Sequence, residues 1–259
     1  MDTPGALLYR LAVDLKTSIV FCTRWPLAHP KPITGEDVAR ASWALPIAGA
    51  LVGAAGALVY WISFRLGLPA ALAAGLALAA TLIATGCLHE DGLADTADGF
   101  GGGKTVADKL AIMRDSHIGT YGVCALMISL VLRWSAVTAI AYPPTVTMVL
   151  IATHASARAA LPMFMRWVPQ ARSDGLSTQV GQPPATSSVA ATLLGLVALS
   201  LALGPIGALA ALCLLLVANV LLAWLCMGQI RGQTGDVIGA TEQVNETLVL
   251  LTCTALLKA

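Results

Sequence analysis

The sequence predicts an all-α protein, a polytopic transmembrane helical bundle with about six or seven membrane helices. Hydrophobic residues make up 57% of its 259 residues and charged residues only 11%, whereas about a quarter of a typical soluble domain is charged. The mean hydropathy is +0.79, and several apolar stretches reach the roughly twenty residues that a helix needs to cross a bilayer. We therefore interpret residues 1–259 as a single integral membrane domain.

Residues 1–42 are predicted to contain an N-terminal amphipathic helix that lies at the membrane surface. Charged residues interrupt this segment too often for a secretory signal. Its apolar residues recur at helical spacing, and they are Leu7, Leu8, Leu11, Leu15, Ile19 and Val20.

Residues 43–259 are predicted to hold the membrane helices. The apolar stretches cover 43–64, 68–88, 118–141, 145–165, 186–203, 206–227 and 244–257. Gly204-Pro205 alone separates the fifth stretch from the sixth, which predicts a tight helical hairpin. The last stretch is the weakest, because Asn245 and Glu246 stand at its start.

The distribution of lysine and arginine predicts the orientation, because cytoplasmic loops are enriched in both. If the N-terminus is inside, only Arg65 and Lys258 fall on the outer side. All 14 acidic residues then lie in cytoplasmic loops or at their helix ends. We expect a multi-pass protein of the bacterial inner membrane, with catalytic loops 89–117, 166–185 and 228–246 facing the cytoplasm. A net charge of +1 without a basic run gives no indication of a nucleic-acid partner.

The run from His89 to Gly99 is the strongest indication of chemistry. Asp91, Asp95 and Asp98 stand at i, i+4 and i+7, on one face of a helix. Three like charges repel one another unless a cation lies among them, and oxygen ligands favour Mg²⁺ or Mn²⁺ over zinc. A solvated acidic helix end is the alternative. Gly99 and Gly101 to Gly103 are expected to end this helix or to let backbone approach a ligand.

Arg114 and Asp115 follow on the same loop, Asp115 as a candidate fourth metal ligand and Arg114 as a candidate phosphate clamp. Carboxylate-held Mg²⁺ beside an arginine is the machinery of phosphoryl transfer. His89 and His117 flank the loop, and each is either a functional group or a packing residue.

Further candidates come from later segments. His154 and Arg158 share a face of one membrane helix, where polar pairs are either functional or partners of a buried carboxylate. Arg172 begins an Arg-Ser-Asp-Gly loop, and glycines alternate with Thr234 and Asp236 in the third loop. Such a loop could hold a phosphate or a hydroxyl-bearing substrate, or could be only a turn.

Four motifs in order along the chain resemble the cobalamin synthase family, the adenosylcobinamide-GDP ribazoletransferases. They are Phe21-Cys22-Thr23-Arg24 with Pro26, the acidic run from Asp91 to Gly99 with Ile112 to Thr120, Arg172 to Leu176, and Gly232 to Ala240. The resemblance covers nearly the whole chain.

The resemblance implies that α-ribazole, or its 5′-phosphate, displaces GMP from adenosylcobinamide-GDP to give adenosylcobalamin or its 5′-phosphate, with Mg²⁺ as cofactor. Asp91, Asp95, Asp98 and Asp115 are then the expected metal ligands, and Asp95, Asp98 and Arg114 the expected catalytic residues, Asp95 or Asp98 being the base. The expected substrate-binding residues are Arg24, His89, Glu90, His117, Arg158, Arg172, Thr234, Asp236 and Glu242. Partners are expected to be the membrane and either a second copy of the chain or other cobalamin-assembly enzymes.

Three other interpretations stay open. The acidic run is similar in logic to that of CDP-alcohol phosphotransferases, but its spacing departs from theirs. A membrane prenyltransferase also uses Mg²⁺ and diphosphate, yet would be expected to carry two aspartate-rich motifs. A transporter would place its acidic residues near the midplane and often carries a repeat, and neither is evident here.

Overall fold

The computed structural model describes residues 4–257, and these form helices joined by short loops. The helices of the described chain are α1 Pro4–Cys22, α2 Gly35–Ala41, α3 Leu45–Arg65, α4 Ala70–Thr85, α5 Leu88–Gly102, α6 Val106–Ile112, α7 Thr120–Ile140, α8 Pro143–Ala159, α9 Leu161–Trp167, α10 Leu176–Val180, α11 Ala185–Ile230 and α12 Gly235–Leu257. A short 3₁₀ turn, Ser42–Ala44, joins α2 to α3. The predicted all-α polytopic fold is confirmed.

The main core lies among α3, α4, α7, α8, α11 and α12 and consists mainly of small and aliphatic side chains, with the buried ring of Tyr60 among them. Close packing of α3 on α8 depends on glycine. A Cβ on Gly49 would stand 2.1 Å from the His154 carbonyl oxygen, and one on Gly53 would stand 2.4 Å from that of Leu150. Small residues let membrane helices approach in this way, because packing between backbones replaces the hydrophobic effect as the driving force.

Four helical stretches are long and apolar enough to cross a membrane, namely Gly35–Arg65, Thr120–Ile140, Pro143–Trp167 and Ala185–Ile230. Helices α4 and α5 meet the criteria only together, and they are bent by 88° where they join. Helix α12 contains the predicted last span but is not among these stretches. By length and composition, four helical stretches of the described residues could cross a membrane, or five if the bent pair counts as one. This count takes Ala185–Ile230 as one stretch although its backbone is non-helical at Gly204.

Helix α11 contains the predicted hairpin. Gly204 has φ 69° and ψ 172° within its 46 residues, and Pro205 follows. Residues from both halves, among them Gly195 and Leu199 on one side and Leu212 and Leu216 on the other, line the same cavity. The halves therefore lie side by side, and the hairpin prediction is confirmed.

The loop boundaries predicted from the sequence need correction. Helix α12 begins at Gly235, well before the predicted start at 244, so most of the predicted loop 228–246 is helical. The predicted loop 89–117 contains the expected acidic helix, α5, and also a second short helix, α6, which was not predicted. Polar residues suggested loops, but here buried ion pairs allow Glu242 and Glu246 to lie inside a helix.

Helix α1 lies within the segment predicted to contain an N-terminal helix. Leu8 and Tyr9 are exposed near its start, whereas Ile19 and Cys22 pack on Leu45 and Ala48 of α3. Asp14 of α1 accepts a charged hydrogen bond of 2.9 Å from Arg40 Nε of α2. The first helix is thus tied to the bundle at its C-terminal half, while its first turns expose apolar side chains.

Candidate active site

The acidic run lies on a helix of its own because the chain turns sharply before it. Gly86 and Cys87 both adopt left-handed backbone conformations, with φ of 64° and 57°. Such residues end a helix, and α5 leaves the end of α4 at 88°. The backbone N–H of Arg24 donates to the Ala84 carbonyl at 2.8 Å, which places the N-terminal motif against this turn.

Two glycines bring α5 and α12 into contact. A Cβ on Gly92 would stand 2.7 Å from the Asp236 carbonyl oxygen, and one on Gly239 would stand 3.2 Å from the His89 carbonyl oxygen and from the Gly92 Cα. Asp236, in the first turn of α12, is thereby placed among the aspartates of α5.

The resulting carboxylates form one cluster, which we call the aspartate cluster: Asp91, Asp95, Asp98 and Asp236. The negative charges of the other three all act on Asp95, and Arg172 is the cation that opposes them. Asp91 is exposed and Asp95 is half-buried. The sequence predicts a substrate-binding role for Asp236. Its proximity to α5 is not predictable from the sequence, because it depends on a contact between distant segments.

Asp98 is bonded differently from the other members of the cluster. Its two oxygens accept the backbone N–H groups of Gly119 at 2.7 Å and Gly122 at 2.9 Å. These donors belong to the N-terminus of α7, where backbone N–H groups lack helical partners. Asp98 therefore caps α7, and its side chain is buried.

Arg114, Asp115 and His117 lie on the exposed loop between α6 and α7. Asp115 accepts hydrogen bonds from the ring Nδ1 of His117 at 2.7 Å and from its backbone N–H, which lowers the pKa of the Asp115 carboxyl. Arg114 forms an ion pair of 2.5 Å with Asp174. Both Arg114 and Asp115 nevertheless line the same cavity as Asp91 and Asp95.

Arg172 is the cation best placed to meet a phosphate beside the cluster. The guanidinium nitrogen Nη2 of Arg172 lies 3.5 Å from Asp236 Oδ2. The other terminal nitrogen, Nη1, is buried without a hydrogen-bond partner among the described residues. Thr234 donates to Asp236 Oδ2 at 3.1 Å. Burial raises the pKa of Asp236 although Arg172 opposes that shift.

The loops that carry Arg172 and Thr234 are joined by backbone hydrogen bonds. The N–H of Ala171 donates to the Gln233 carbonyl at 2.9 Å, and the N–H of Gln233 donates to that of Pro169 at 2.8 Å. Ser177 also donates to the Gln233 side chain at 2.7 Å. Two sequence motifs far apart in the chain are thus one structural unit.

The glycines that follow the acidic run pack against protein side chains. Helix α5 continues to Gly102 and ends there. A Cβ on Gly99 would stand 2.4 Å from Met113 Cγ, and one on Gly101 would stand 2.6 Å from the Tyr121 ring. The expected helix end is confirmed at Gly102, and Gly99 and Gly101 admit neighbouring side chains.

A buried ion-pair network lies behind the aspartate cluster. Arg133 pairs with Glu246 at 2.7 Å and Glu90 at 3.3 Å, and Arg158 pairs with Glu242 at 2.6 Å. His154 lies 3.1 Å from Glu246, and His89 lies 3.7 Å from Glu242. Removing one partner of such a pair leaves a buried charge uncompensated.

Four residues predicted to bind substrate belong to this network: His89, Glu90, Arg158 and Glu242. All four are buried, and the ion pair between Arg158 and Glu242 explains why these two charged side chains can be buried.

Ligand atoms of His154, Glu242 and Glu246 lie within 4.8 Å of one another, a spacing that suits a metal ion. Arg133 and Arg158 already compensate those two carboxylates. The partners of Arg133 were not predicted, although an arginine inside an apolar helix is itself a sign of a buried acid.

Two cavities border the aspartate cluster. The first, the apolar cavity, has a volume of about 160 Å³ and is lined by Phe21, Cys22, Val38, Ser42, Leu45, Leu88, His89, Asp91, Gly92, Leu161, Met165, Arg172, Leu176, Ser177, Val180, Pro183, Gly235, Asp236, Ile238 and Gly239. The second, the wide cavity, has a volume of about 540 Å³ and is lined by Leu82, Cys87, Glu90, Asp91, Ala94, Asp95, Met113, Arg114, Asp115, Ser116, Ile118, Leu126 and Leu130. Asp91 lines both.

Arg24 lies outside both cavities. It is exposed and lines a third cavity with Thr23, Thr34 and Thr85. This third cavity shares Phe21, Val38, Leu88, Leu176 and Val180 with the apolar cavity.

Comparison with known proteins gives consistent matches over almost the full chain. Residues 14–254 match the family model described as Cobalamin-5-phosphate synthase. The adenosylcobinamide-GDP ribazoletransferase of Bradyrhizobium diazoefficiens is 56% identical over 253 residues, which cover 97% of each chain. The proteins of the same name from Mesorhizobium japonicum and Azorhizobium caulinodans are 48% and 41% identical, over 95% and 93% of this chain and 94% and 95% of theirs. No solved structure matches.

Proposed function

The chain belongs to the cobalamin-5-phosphate synthase family, as its motifs predicted, and from this membership we propose that it joins α-ribazole, or its 5′-phosphate, to adenosylcobinamide-GDP. It is a transferase of cobalamin nucleotide-loop assembly. The observation that carries the chemical proposal is the convergence of Asp91, Asp95 and Asp236 between two cavities.

The proposed step is a phosphoryl transfer. A ribose hydroxyl oxygen forms a bond to the phosphorus that is attached to the corrinoid. The bond from that phosphorus to the GMP oxygen breaks, so GMP leaves with the electron pair and the hydroxyl gives up its proton. The product is adenosylcobalamin or its 5′-phosphate.

Asp95 is our proposed proton acceptor. The negative charges of three other carboxylates act on it, so a proton taken from the hydroxyl would relieve their repulsion. Asp98, the other candidate from the sequence, already accepts two backbone N–H groups, which makes it the weaker candidate.

The donor chemistry of the aspartate cluster fits Mg²⁺, because hard oxygen ligands and surplus negative charge are what that ion requires. Among the described residues, three ligand atoms lie within 4.8 Å of one another at His154, Glu242 and Glu246 and not in this cluster, so the aspartates would have to draw together around the ion. We propose Asp91, Asp95 and Asp236 as its principal ligands. Asp98 and Asp115 remain sequence-based candidates. When bound, the ion would offset the charge of the substrate's diphosphate.

Arginine side chains would position the same diphosphate. We propose Arg172 as the main clamp on the diphosphate, because its buried guanidinium nitrogen Nη1 has an unused hydrogen-bond donor. Arg114 lines the wide cavity but is paired with Asp174, so it would exchange that carboxylate for a phosphate oxygen.

We also propose that the site faces the cytoplasm of a bacterial inner membrane. The positive-inside pattern supports this orientation. Segments assigned to the cytoplasmic side are in contact in the structure, as in the Arg114–Asp174 and Arg172–Asp236 pairs.

The direct test is incubation of membranes containing the protein with adenosylcobinamide-GDP, α-ribazole and Mg²⁺, followed by chromatographic detection of the corrinoid product and GMP. Asp95→Ala is expected to abolish product formation, and Glu36→Ala, an exposed acid of α2, serves as the matched control. Full activity of Asp95→Ala would contradict the proposed site. An inactive wild-type protein beside an active relative would contradict the proposed function.

A further inference from the structure

The two cavities differ in chemistry and open from different faces of α5. Leu88 and Gly92, one turn apart, line the apolar cavity, whereas Cys87, Glu90 and Ala94 line the wide cavity. Among the residues that the structure describes, Asp91 alone lines both. A group bound in each cavity would therefore meet its neighbour at this carboxylate.

Several sequence motifs contribute walls to the apolar cavity. Phe21 and Cys22 belong to the N-terminal motif, Leu176 and Ser177 follow Arg172, and Ile238 belongs to the last motif. The charged groups of the lining lie near one another, since Arg172 is 3.5 Å from Asp236 and the charge of Asp91 acts on Asp236. The cavity thus has a largely apolar lining and one charged patch, which we call the aspartate mouth.

Two buried polar atoms in the lining residues have no hydrogen-bond partner among the described residues, namely Arg172 Nη1, beside the aspartate cluster, and Ser42 Oγ. Ser42 is 2% exposed, and its Oγ makes no hydrogen bond with the described residues. By contrast, the hydroxyl of Ser177 donates to Gln233 at 2.7 Å. Buried hydroxyl groups are nearly always hydrogen-bonded, so an unsatisfied one indicates a position where a ligand atom would bind.

We propose that the apolar cavity binds the aromatic base of the ribazole nucleoside, with a ring nitrogen at Ser42 and the ribose at the aspartate mouth. The inference rests on the proposed function and adds a substrate subsite to it. The wide cavity then receives the diphosphate end of the corrinoid. The attacking hydroxyl and the phosphorus would meet at Asp91.

Size and polarity favour this assignment over the alternatives. A cavity of about 150 Å³ accepts a benzene-sized ring, and the apolar cavity of 160 Å³ is far too small for a corrin. Guanine carries several donors and acceptors, and these would stay unpaired against this lining, which disfavours its binding. A benzimidazole-type base presents one free ring nitrogen and otherwise apolar surface.

A pair of cavity-filling variants tests the assignment. Met165→Trp fills the apolar cavity, and Leu126→Trp, its matched control, fills the wide cavity; both positions are only partly buried. Met165→Trp is expected to raise the KM for α-ribazole roughly tenfold or more, with the KM for adenosylcobinamide-GDP unchanged. Leu126→Trp is expected to show the reverse pattern.

A smaller change guards against misfolding of the tryptophan variants. Ser42→Ala removes only the unpartnered hydroxyl and should raise the KM for α-ribazole by roughly threefold to tenfold, the effect of one hydrogen bond. Equilibrium dialysis of α-ribazole against the detergent-solubilised full chain should show a matching loss of affinity for Ser42→Ala and Met165→Trp.

The outcomes separate the subsite from the function. If wild-type protein makes product but Met165→Trp and Ser42→Ala leave the KM and affinity for α-ribazole unchanged, the subsite assignment is wrong. It is equally wrong if Met165→Trp raises only the KM for adenosylcobinamide-GDP. Absence of product from wild-type protein would instead overturn the proposed function, and dialysis would still report whether the cavity binds the nucleoside.

Discussion

Asp95 and Asp98 share one helical face and one motif, yet the structure separates them by their partners. Asp95 is surrounded by like charges, whereas Asp98 accepts two backbone N–H groups of α7. Sequence spacing could place both on one face of a helix. It could not identify Asp98 as a cap, because Gly119 and Gly122 reach it only through the packing of α7 on α5.

Asp98→Asn is therefore expected to lower stability. Asparagine keeps one acceptor oxygen but loses the charge and the second acceptor, at a cost of roughly 1.5–3 kcal/mol. Thermal unfolding in detergent should show a lower Tm than in Asp95→Asn, which removes like-charge repulsion and should leave the Tm unchanged or higher. Equal Tm values for the two variants would contradict the capping role, and Glu36→Gln controls for loss of an exposed charge.

At the scale of the elements, the contact of α5 with α12 completes the site. The sequence predicted the acidic helix and its end correctly, since the apolar period and the glycines are local signals. It placed the start of α12 too late, because the acids that suggested a loop are neutralised by arginines from α7 and α8. Partners distant in sequence leave no such local pattern.

Gly92→Ala is expected to reduce transfer activity strongly while the protein still inserts in membranes. The new Cβ would stand 2.7 Å from the Asp236 carbonyl oxygen, so α12 must shift and carry Asp236 away from Asp95. Initial-rate assays in membranes should show a loss of roughly a hundredfold, the scale of a misplacement of about 1 Å.

The matched control for that change is Gly228→Ala in α11, where a Cβ would meet no atom within 4 Å. It should retain activity and gain slightly in stability, because alanine favours a helix by roughly 1 kcal/mol over glycine. Equal activity of the two alanine variants would show that the α5–α12 spacing does not matter.

For the whole molecule, the buried ion pairs join α5, α7, α8 and α12 behind the site. The apolar stretches were enough to predict a helical membrane bundle with a hairpin at Gly204. The arrangement of the helices was not predictable, since it depends on which buried charges pair. Arg133 shows this limit, because its sequence position indicates that it needs an acid without saying which one.

Arg133→Leu is expected to destabilise the bundle by roughly 3–5 kcal/mol, because Glu246 and Glu90 lose their buried cation. Adding Glu246→Gln should restore part of that loss by removing one of the stranded charges. Thermal unfolding of Arg133→Leu and of the double variant measures how much of the lost stability the second substitution restores. Additive losses in the double variant would show that the pair is not coupled.

The arrangement of two cavities that meet at Asp91 also has a kinetic consequence. Two ligands in separate cavities can occupy the enzyme together, so both substrates should bind before any product leaves. Double-reciprocal initial-rate plots are then expected to intersect, whereas parallel lines would reveal a covalent enzyme intermediate. Direct attack from one cavity on a phosphorus held in the other would also invert the configuration at a chiral thiophosphate, and retention would contradict a single displacement.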